Sequence, residues 1–481
     1  MRSGPARWIT DAFAAGAKRF SAVLFRFFPP QHRGHRLDSN ILKEIGKGQY
    51  DWAMQIGTLA FVWGLPIVTC WSDRLKKLRP AADAPPDAGL VNRFRHVRAL
   101  SAPGASEFVN AATDFLYSTA VIDLRNGPLR LSGGDFRGRW YGLQVLDAHM
   151  ETLANIGTRT CGDRVPEVLL AYRDQEIDAA PGQWSIRSDC PFVYIVGRIA
   201  ADAGEDLADA HCLQDALRIE AVDPAAQGQH DLADACAMFT PSAPGCPENL
   251  AFYASLAAVL RFVPPRDHEG MLLGLFRDVG IDPQRGFDHA SLSEEVRAGL
   301  GDAIAHAQGI LGRKLYVTGQ MIDGWMWVTG IGNYDSDYVV RALVSQHGIW
   351  ANVPEESIYV MARLDADGAL LHGANRYEIR FPPGQTPPVD AFWSISYYDE
   401  HGRLVAHPSG RTAVNSLYSA LVADADGSLV IEIATEPSSP QRASNWLPSH
   451  DGAFNLNLRC YNPQAAMLSQ DYRVPAVRRV G

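Results

Sequence analysis

The sequence predicts a mainly β protein with helical insertions, in which two jelly-roll-like β-sandwich domains are joined by a helical segment. Apolar residues alternate with a period of two in two separate regions, 94–200 and 357–461. Between these regions the apolar spacing becomes helical. The chain has 481 residues, which is more than one hydrophobic core usually supports. Two β domains with a helical connection satisfy all three observations.

The composition places the chain among globular proteins and excludes some partners. Apolar residues make up 47% of the chain, and the net charge is −10 with no long basic run, so we predict no nucleic-acid partner. The seven cysteines are scattered and form no CxxC motif, which favours reduced, buried thiols over a disulfide framework. We divide the chain into a basic extension with its linker (1–47), an N-terminal β domain (48–200), a helical connecting region (201–330) and a C-terminal β domain (331–481).

The first 30 residues differ from the rest of the chain. They carry five basic side chains against the single acid Asp11, and their apolar residues fall at helical spacing until Pro29. No apolar run reaches the ~18 residues of a membrane span, and no signal-peptide core is evident. Two interpretations remain open: an amphipathic helix lying on a membrane surface, or a helix packed on its own domain or a disordered extension. We therefore expect a cytoplasmic protein, with residues 1–30 as a candidate contact to the inner face of the membrane, and export is disfavoured.

The elements of the first half follow from apolar spacing. A helix is predicted from Tyr50, with Gly64 to Pro66 breaking or kinking it, and a Pro-rich loop is predicted over 79–90. Strands are then predicted over 115–124, 129–132, 140–147 and 192–199. Helices are predicted over 200–217 and 250–262, and Ser291 with Glu294 resembles a capping box that opens a further helix.

The stretch from Gly332 to Gly368 joins the two halves. It predicts a polar loop, a short helix that ends at His347-Gly348, a second loop over 352–356 and a strand over 357–364. Further strands are predicted over 377–381, 391–398, 429–435 and 454–461. Three Asp-rich, Gly-ended turns separate elements of this region, and they indicate hairpin turns because the twelve-residue calcium loop with its final Glu is absent.

Motifs of common enzyme classes are absent from the sequence. It contains no GxSxG, HExxH, Walker A or dinucleotide fingerprint, so we predict neither a cofactor nor a metal. Asp147, His149 and Glu151 alternate and would project from one face of a strand. That pattern is compatible with an acid–base or metal cluster and equally with a solvated strand face. Ser118 follows a tyrosine within a strand and is interpreted as structural, because no sequence feature activates it.

Several blocks resemble a known pairing of domains. In the first half these include Leu116-Tyr117-Ser118, Gly127-Pro128 and Gly157 to Thr160. In the second half they include Phe392-Trp393-Ser394 and Asn445-Trp446-Leu447-Pro448, with Arg459, Tyr461 and Pro463 at the end. On these blocks the chain resembles bacterial proteins that pair the domains of unknown function 1254 (N-terminal) and 1214 (C-terminal).

The resemblance implies a fold rather than a reaction. It implies two jelly-roll-like β domains joined by helices, and it implies no shared activity. The chain departs from the family pattern at Ala111-Ala112, where Pro-Asn is usual, and at Met150-Glu151, where Thr-Asn is usual. A site inherited from the family could therefore be lost or changed here.

The matched polar residues supply the candidate site. We predict acid–base or anion-positioning roles for Asp114, Tyr117, Arg139, Asp147 and Glu355, because carboxylates, a tyrosine and an arginine together can bind and protonate an anionic group. The alternative is a buried hydrogen-bonded network that fixes the strands, or, for Glu355, an ion pair with Arg341 or a cap. The predicted ligand-binding residues are Tyr141, Gln144, Asn333, Tyr334, Asn352, Trp393, Asn445 and Trp446. The aromatic members of this set would serve equally well as core.

These candidates predict a small organic ligand, with an anion as one candidate, in a cleft between the domains, and they favour a cofactor-independent hydrolase or lyase. The alternative is a non-catalytic binding or self-assembling protein, and in either case we expect a homo-oligomer. Tyr397 and Tyr398 are adjacent in a predicted strand, so they must point to opposite faces and only one can line the cleft.

Overall fold

The computed structural model of the chain describes residues 39–78, 91–104, 109–226, 245–315 and 318–480. The amphipathic segment predicted over 1–30 and the loop predicted over 79–90 lie outside the described residues. The helices are α1 (Ser39–Leu78), α2 (Thr158–Cys161), α3 (Glu205–Ala216), α4 (Ala251–Val259), α5 (Gly270–Asp278), α6 (Glu294–Leu315), α7 (Tyr338–His347) and α8 (Ala465–Leu468).

The first half of the chain forms a two-layer sandwich. One sheet has the strand order β1-β2-β8-β4-β5 and is antiparallel throughout, and the other has the order β7-β6-β3-β9. Alternate side chains of both sheets meet in one core. The strands are β1 (Phe94–His96), β2 (Phe115–Asp123), β3 (Leu129–Ser132), β4 (Tyr141–Leu146), β5 (Thr152–Gly157), β6 (Val168–Tyr172), β7 (Trp184–Ser188), β8 (Phe192–Ala200) and β9 (Arg218–Ala221).

The second half repeats this architecture after a small hairpin of β10 (Ile281–Asp282) and β11 (Gly286–Phe287). A six-stranded antiparallel sheet of order β12-β13-β14-β20-β16-β17 packs on a sheet of order β19-β18-β15-β21. The strands are β12 (Gln320–Ile322), β13 (Trp325–Val328), β14 (Ser357–Ala362), β15 (Tyr377–Phe381), β16 (Val389–Asp399), β17 (Ala413–Asn415), β18 (Leu429–Ala434), β19 (Trp446–Pro448), β20 (Phe454–Pro463) and β21 (Arg478–Arg479). Two sandwiches with helical insertions confirm the predicted fold class.

The helices form a layer that packs on the outer face of the β1-β2-β8-β4-β5 sheet. The core of this layer combines α1, α4 and α5 side chains with Phe192, Tyr194 and Val196 of β8. By length and composition one helical stretch, Leu42–Arg74, could cross a membrane, but 67% of its most apolar window is buried inside the molecule. Burial of this kind is typical of a core helix, and it accounts for the apolar composition of α1.

Two features of α1 differ from the sequence prediction, which gave a break or a kink at 64–66 and a linker up to residue 47. Helix α1 continues through Pro66 instead of breaking at 64–66, and it begins inside the predicted linker. An interior proline costs about 3 kcal/mol in an isolated helix. Here α1 is packed against α4, α6 and α7, and a Cβ on Gly64 would lie 2.7 Å from the Leu256 side chain. Tertiary packing therefore outweighs the local signal.

Other predicted boundaries also shifted. The region expected to be helical, 201–330, also contributes β9 to the first sandwich and β12 and β13 to the second. Helix α6 is capped by Ser293, whose Oγ accepts a hydrogen bond from the Val296 N–H, rather than by Ser291. Ser291 lies instead in a 3-10 turn that Asp288 caps.

Candidate functional site

The two sandwiches meet through the outer faces of their larger sheets. The rings of Phe115 and Trp140 from the first sandwich lie 5.9 and 4.9 Å from the ring of Tyr461, and Trp140 lies 5.5 Å from Phe392. All four side chains are buried. Since these rings come from both sandwiches, they form an aromatic contact that holds the two domains together.

Beside this contact, each sheet presents one tyrosine and one arginine in direct cross-strand register. Tyr117 of β2 lies opposite Arg198 of β8, and Tyr359 of β14 lies opposite Arg459 of β20. Directly opposed residues have Cβ atoms about 5 Å apart. Both arginines are buried, whereas both tyrosines are partly exposed. Two Tyr–Arg pairs therefore occupy the facing surfaces of the two domains.

The arginine of the first sandwich is held by the segment that joins the domains. Arg198 Nη1 donates to Gln144 Oε1 at 3.1 Å and Nη2 donates to the Trp350 carbonyl at 2.6 Å. Trp350 is buried with φ of +65°, a conformation that is costly for a bulky residue. Its indole N–H donates to Asp73 Oδ2 at 3.2 Å. The fold thus holds Trp350 in a strained conformation that presents its carbonyl to Arg198.

The arginine of the second sandwich reaches back to the first. Arg459 Nη2 donates to the Asn110 carbonyl at 2.6 Å and to Tyr398 Oη at 2.9 Å, and Nη1 donates to Ser396 Oγ at 3.1 Å. Neither Arg198 nor Arg459 has a carboxylate at salt-bridge distance among the residues that the structure describes. Neither guanidinium group therefore takes part in a direct ion pair with a described carboxylate.

Asp114 is a buried carboxyl that also lies at this boundary. Its Oδ1 accepts a hydrogen bond from Asn415 Nδ2 at 2.9 Å. Burial raises the pKa of the Asp114 carboxyl, and the Asn415 hydrogen bond and the Arg459 charge oppose that rise. Asp114 therefore bonds across the boundary to the second sandwich.

Several buried polar atoms on the second sandwich have no hydrogen-bond partner within the described part of the chain. They include Tyr461 Oη, Ser357 Oγ and Asn457 Oδ1, all on the outer face of the six-stranded sheet. An unsatisfied buried polar atom costs about 1–3 kcal/mol. Burial raises the pKa of Tyr117 and Tyr461, so both phenols are protonated hydrogen-bond donors at neutral pH. These groups can accept and donate hydrogen bonds to a bound molecule.

The structure brings Asp114, Tyr117, Gln144 and Asn352 to this boundary. Gln144 Nε2 donates to the Ala351 carbonyl at 3.0 Å, and the Asn352 N–H donates to Tyr359 Oη at 3.4 Å. Arg139 lies at the rim, where it forms a bidentate pair with Asp206 at 2.7 Å and approaches Tyr418 Oη at 3.4 Å. Its charge is thus already matched.

Four predicted ligand-binding residues lie elsewhere. Tyr141 faces the core of the first sandwich and stacks on Phe136 at 4.0 Å. Trp393 lies in the core of the second sandwich with Tyr397, whereas Tyr398 points to the domain boundary, so the predicted opposite orientation of the two tyrosines is confirmed. Asn445 ties the loop at Val422 to β18, and Trp446 donates to the Ala434 carbonyl. These side chains do not reach the Tyr–Arg pairs.

A second polar cluster occupies the turn between β4 and β5, and it corrects one prediction. Residues 147–151 form a turn rather than a strand face, because Asp147 Oδ1 accepts the N–H groups of His149 and Glu151 and Met150 takes a φ of +72°. The loop that carries Asn333 and Tyr334 docks on this turn. Asn333 Oδ1 accepts the Thr152 N–H, and the Tyr334 N–H donates to Glu151 Oε2 at 2.7 Å. Asp147 therefore acts here as a turn residue.

Buried charges surround that turn. Arg266 bonds Glu151 Oε1 at 3.2 Å and Glu269 Oε1 at 3.3 Å. Arg341 lies 3.7 Å from Glu151 and 3.8 Å from Glu269, so it is not the partner of Glu355 that the sequence offered. Glu355 itself is exposed. No group of three or more His, Cys, Asp or Glu side chains in the described ranges could hold a metal ion.

The neighbouring Glu356, rather than Glu355, points inward. It is buried and accepts a hydrogen bond from Arg159 Nε at 2.6 Å. Burial raises the pKa of the Glu356 carboxyl, while Arg159 and Arg198 oppose that rise. Glu356 therefore adds one negative charge close to Arg198.

Sequence reasoning missed Arg198, Tyr359 and Trp350 and used Arg459 only as a family position. A usable signal existed in β20, where Asn455, Asn457, Arg459 and Tyr461 alternate with apolar residues. Alternation normally marks a solvated face. Because this strand is buried on both faces, the polar residues must face a second protein surface.

Ser118 and His96 form a separate contact in the first sandwich. His96 Nδ1 lies 2.9 Å from Ser118 Oγ, which also accepts a hydrogen bond from Gln214 Nε2 at 3.1 Å. Ser118 is fully buried, so a substrate cannot reach it. This agrees with the structural interpretation of the serine.

The same contact predicts a pH effect. Burial, together with the nearby Arg98, lowers the pKa of His96 to about 4. Between the unfolded pKa of about 6.5 and pH 4 the unfolded chain binds the proton more readily, so stability falls as pH decreases. We expect His96→Gln to reduce this slope in urea unfolding between pH 6.5 and 4.5. His401→Gln, at an exposed histidine, is the control, and equal slopes for both variants would contradict the assignment.

Comparison with known proteins was consistent with this architecture. The family model "Protein of unknown function (DUF1254)" matches residues 91–221, and "Protein of unknown function (DUF1214)" matches residues 356–465. The chain belongs to the proteins that pair these two domains, as its motifs indicated. A search of curated proteins found no match.

Two solved structures were found to resemble the chain. The VPA0106 protein from Vibrio parahaemolyticus is 19% identical with a TM-score of 0.64, and the match covers 89% of this chain and all of that protein. An uncharacterised protein from Burkholderia cenocepacia is 12% identical with a TM-score of 0.43, over 91% of this chain and 94% of that one. The first similarity establishes a common fold.

Proposed function

We propose that the protein binds a small organic anion between its two β-sandwiches, at the Tyr117–Arg198 and Tyr359–Arg459 pairs. The observation that carries this proposal is that each domain contributes one buried arginine and one partly exposed tyrosine in direct register at the boundary. Guanidinium groups bind carboxylates and phosphates strongly, and domain boundaries are common ligand sites.

The charges at the boundary favour a ligand with one negative charge. Arg159, Arg198 and Arg459 contribute three positive charges, and Asp114 and Glu356 contribute two carboxyls. Arg139 adds no net charge, because its ion pair with Asp206 neutralises its positive charge. With both carboxyls ionised, one positive charge remains among these groups, and a monoanion would neutralise it.

Selectivity for the ligand would come from hydrogen bonds with the tyrosines and with the buried polar atoms that have no partner in the described part of the chain. Protonated phenols donate to an oxyanion, and Asn457 Oδ1 accepts from a hydroxyl or amide on the ligand. Hydrogen bonds to charged groups contribute about 1.5–3 kcal/mol each. We therefore expect selectivity for oxyanions over neutral analogues.

A hydrolase or lyase activity is a second hypothesis, favoured by one observation. Asp114 is a buried carboxyl with a raised pKa beside the anion site, which suits an acid–base group. Asp114→Asn would then keep binding and lose turnover. Loss of binding together with turnover would assign Asp114 to the structure of the site instead.

The proposal is tested by isothermal titration with benzoate, inorganic phosphate and neutral benzamide, after native mass spectrometry of the purified protein. We expect benzoate to bind and benzamide to bind at least tenfold more weakly, because the neutral amide leaves the excess charge uncompensated. Arg459→Lys and Tyr117→Phe should each weaken benzoate by roughly 10- to 100-fold. The lysine keeps the charge, so it limits the risk of unfolding.

Arg139→Met supplies the matched control, since this arginine is bound by Asp206 at the rim. Its benzoate affinity should equal that of the wild type. Equal losses at Arg139 and Arg459, or no binding of any anion, would overturn the proposal. A clean apo mass at a fixed oligomer number, with no anion binding, would favour the non-catalytic assembly protein.

A further inference from the structure

Three methionines lie side by side on the outer face of the six-stranded sheet. Met321 of β12 is directly opposite Met326 of β13, which is directly opposite Met361 of β14. We call these three residues the methionine row. Met321 is 57% exposed, and Met326 and Met361 are half-buried. The row therefore leads from the surface toward the interior.

The methionine row is continuous with the proposed anion site. Met361 is directly opposite Asn457, whose Oδ1 has no partner among the described residues. Tyr359 and Arg459 form the pair two positions further along the same two strands. Strand spacing of about 4.8 Å and a rise of about 3.4 Å per residue place Met361 roughly 7 Å from Tyr359 and the far end of the row about 10 Å from Met361.

The row offers a surface suited to a flexible apolar group. Methionine side chains are unbranched and polarisable, and they are common at surfaces that bind apolar ligands of variable shape. The two neighbours of Met326 along β13, Trp325 and Trp327, point to the opposite face of the sheet, where they are fully buried in the core. The strands beneath the row are therefore well packed, and the apolar side chains above them are accessible.

We infer that the anion is an amphipathic monocarboxylate whose unbranched alkyl chain lies along the methionine row while its carboxylate reaches Arg459 and Arg198. This inference rests on the proposed anion site and names the ligand class for it. Charge complementarity fixes the head group at the buried arginines. The accessible length of the row, about 10 Å, fits a chain of medium length.

The test compares octanoate, acetate and neutral octanamide by isothermal titration on the full chain. Each buried methylene contributes about 0.8 kcal/mol, so octanoate should bind at least ~10-fold more tightly than acetate. Met361→Gln and Met321→Gln should reduce this preference and leave acetate affinity unchanged, because glutamine has a similar size and a polar end. Octanamide should bind more weakly than octanoate, since it lacks the charge.

Met271→Gln is the matched control, because Met271 is 77% exposed on α5 and outside the row. Its octanoate preference should equal that of the wild type. If acetate and octanoate bind with equal affinity and Met361→Gln changes neither affinity, the proposed ligand class is wrong but the anion site is not contradicted. No carboxylate binding at all would overturn the anion site itself. Met361→Gln changing the oligomer number in native mass spectrometry, but not octanoate affinity, would assign the row to contacts between copies.

Discussion

Gly332→Ala is expected to lower the free energy of unfolding by about 3–4 kcal/mol. Gly332 has a φ of +86°, and an added Cβ would lie 2.5 Å from the Val353 nitrogen and 2.7 Å from the Asn352 carbonyl carbon. A left-handed conformation costs an L-residue about 1–2 kcal/mol, and overpacking adds about 1–3. The Gly332 carbonyl also accepts the Thr152 N–H at 3.0 Å and Thr152 Oγ1 at 2.8 Å. Displacing this backbone would loosen the contact between the first sandwich and the segment that joins the domains.

Gly330→Ala separates the two causes of that loss. Gly330 also has a positive φ, +70°, but nothing lies within 4 Å of the added Cβ. It should lose only the conformational cost of about 1–2 kcal/mol. Urea unfolding of both variants measures the difference. Equal losses would show that the contact of Gly332 with Val353 and Asn352 adds nothing beyond the backbone conformation.

Arg266→Met is expected to lower the free energy of unfolding by about 3–5 kcal/mol. The substitution leaves Glu151 and the fully buried Glu269 without their hydrogen-bonded cation, and an uncompensated buried charge carries a cost of this size. Arg266 Nη2 also donates to the Asp335 carbonyl at 2.9 Å, so the loop before α7 loses a partner. Arg341 remains within 4 Å of both glutamates and limits the loss.

Arg277→Met is the control for this prediction. Arg277 lies 3.5 Å from Asp282, but its side chain is 50% exposed, and exposed pairs contribute about 0–1 kcal/mol. Adding Glu269→Gln to Arg266→Met should recover part of the stability, because the neutral amide keeps an acceptor for the Trp63 indole and removes the buried charge. A small loss for Arg266→Met, similar to that of Arg277→Met, would mean that Arg341 alone neutralises the cluster.

Much of the fold could be predicted because strand alternation is a local property. The predicted strands 129–132 and 377–381 match β3 and β15, and most others differ by one or two residues at their ends. The Asp-rich turns followed from the need for positive φ at Gly368, Gly402 and Gly427. The break that the sequence allowed at Pro66 is absent, because the energy that maintains helix α1 there comes from its packing against other helices.

The candidate site could be predicted only in part. Asp114, Tyr117, Gln144 and Asn352 were expected as site residues and lie at the domain boundary, although their roles stay predictions. Arg198 was missed because it stands alone in an apolar strand, and its partner Trp350 lies more than 150 residues away. Trp393 and Tyr141 were offered as ligand-binding residues, and they fill cores because the inward face of a strand cannot be known before its partner sheet is placed.

The sequence by itself determined the two sandwiches, the presence of helical insertions and the pairing of domains, since each depends on periodicity, turn residues and local motifs. The tertiary structure alone decided which sheet faces meet and which arginines lack a directly paired carboxylate. These features depend on contacts between residues far apart in the chain, such as Arg459 with Asn110 and Asp114 with Asn415. Local propensity carries no information on such contacts, because their energy arises only when two finished surfaces exclude water between them.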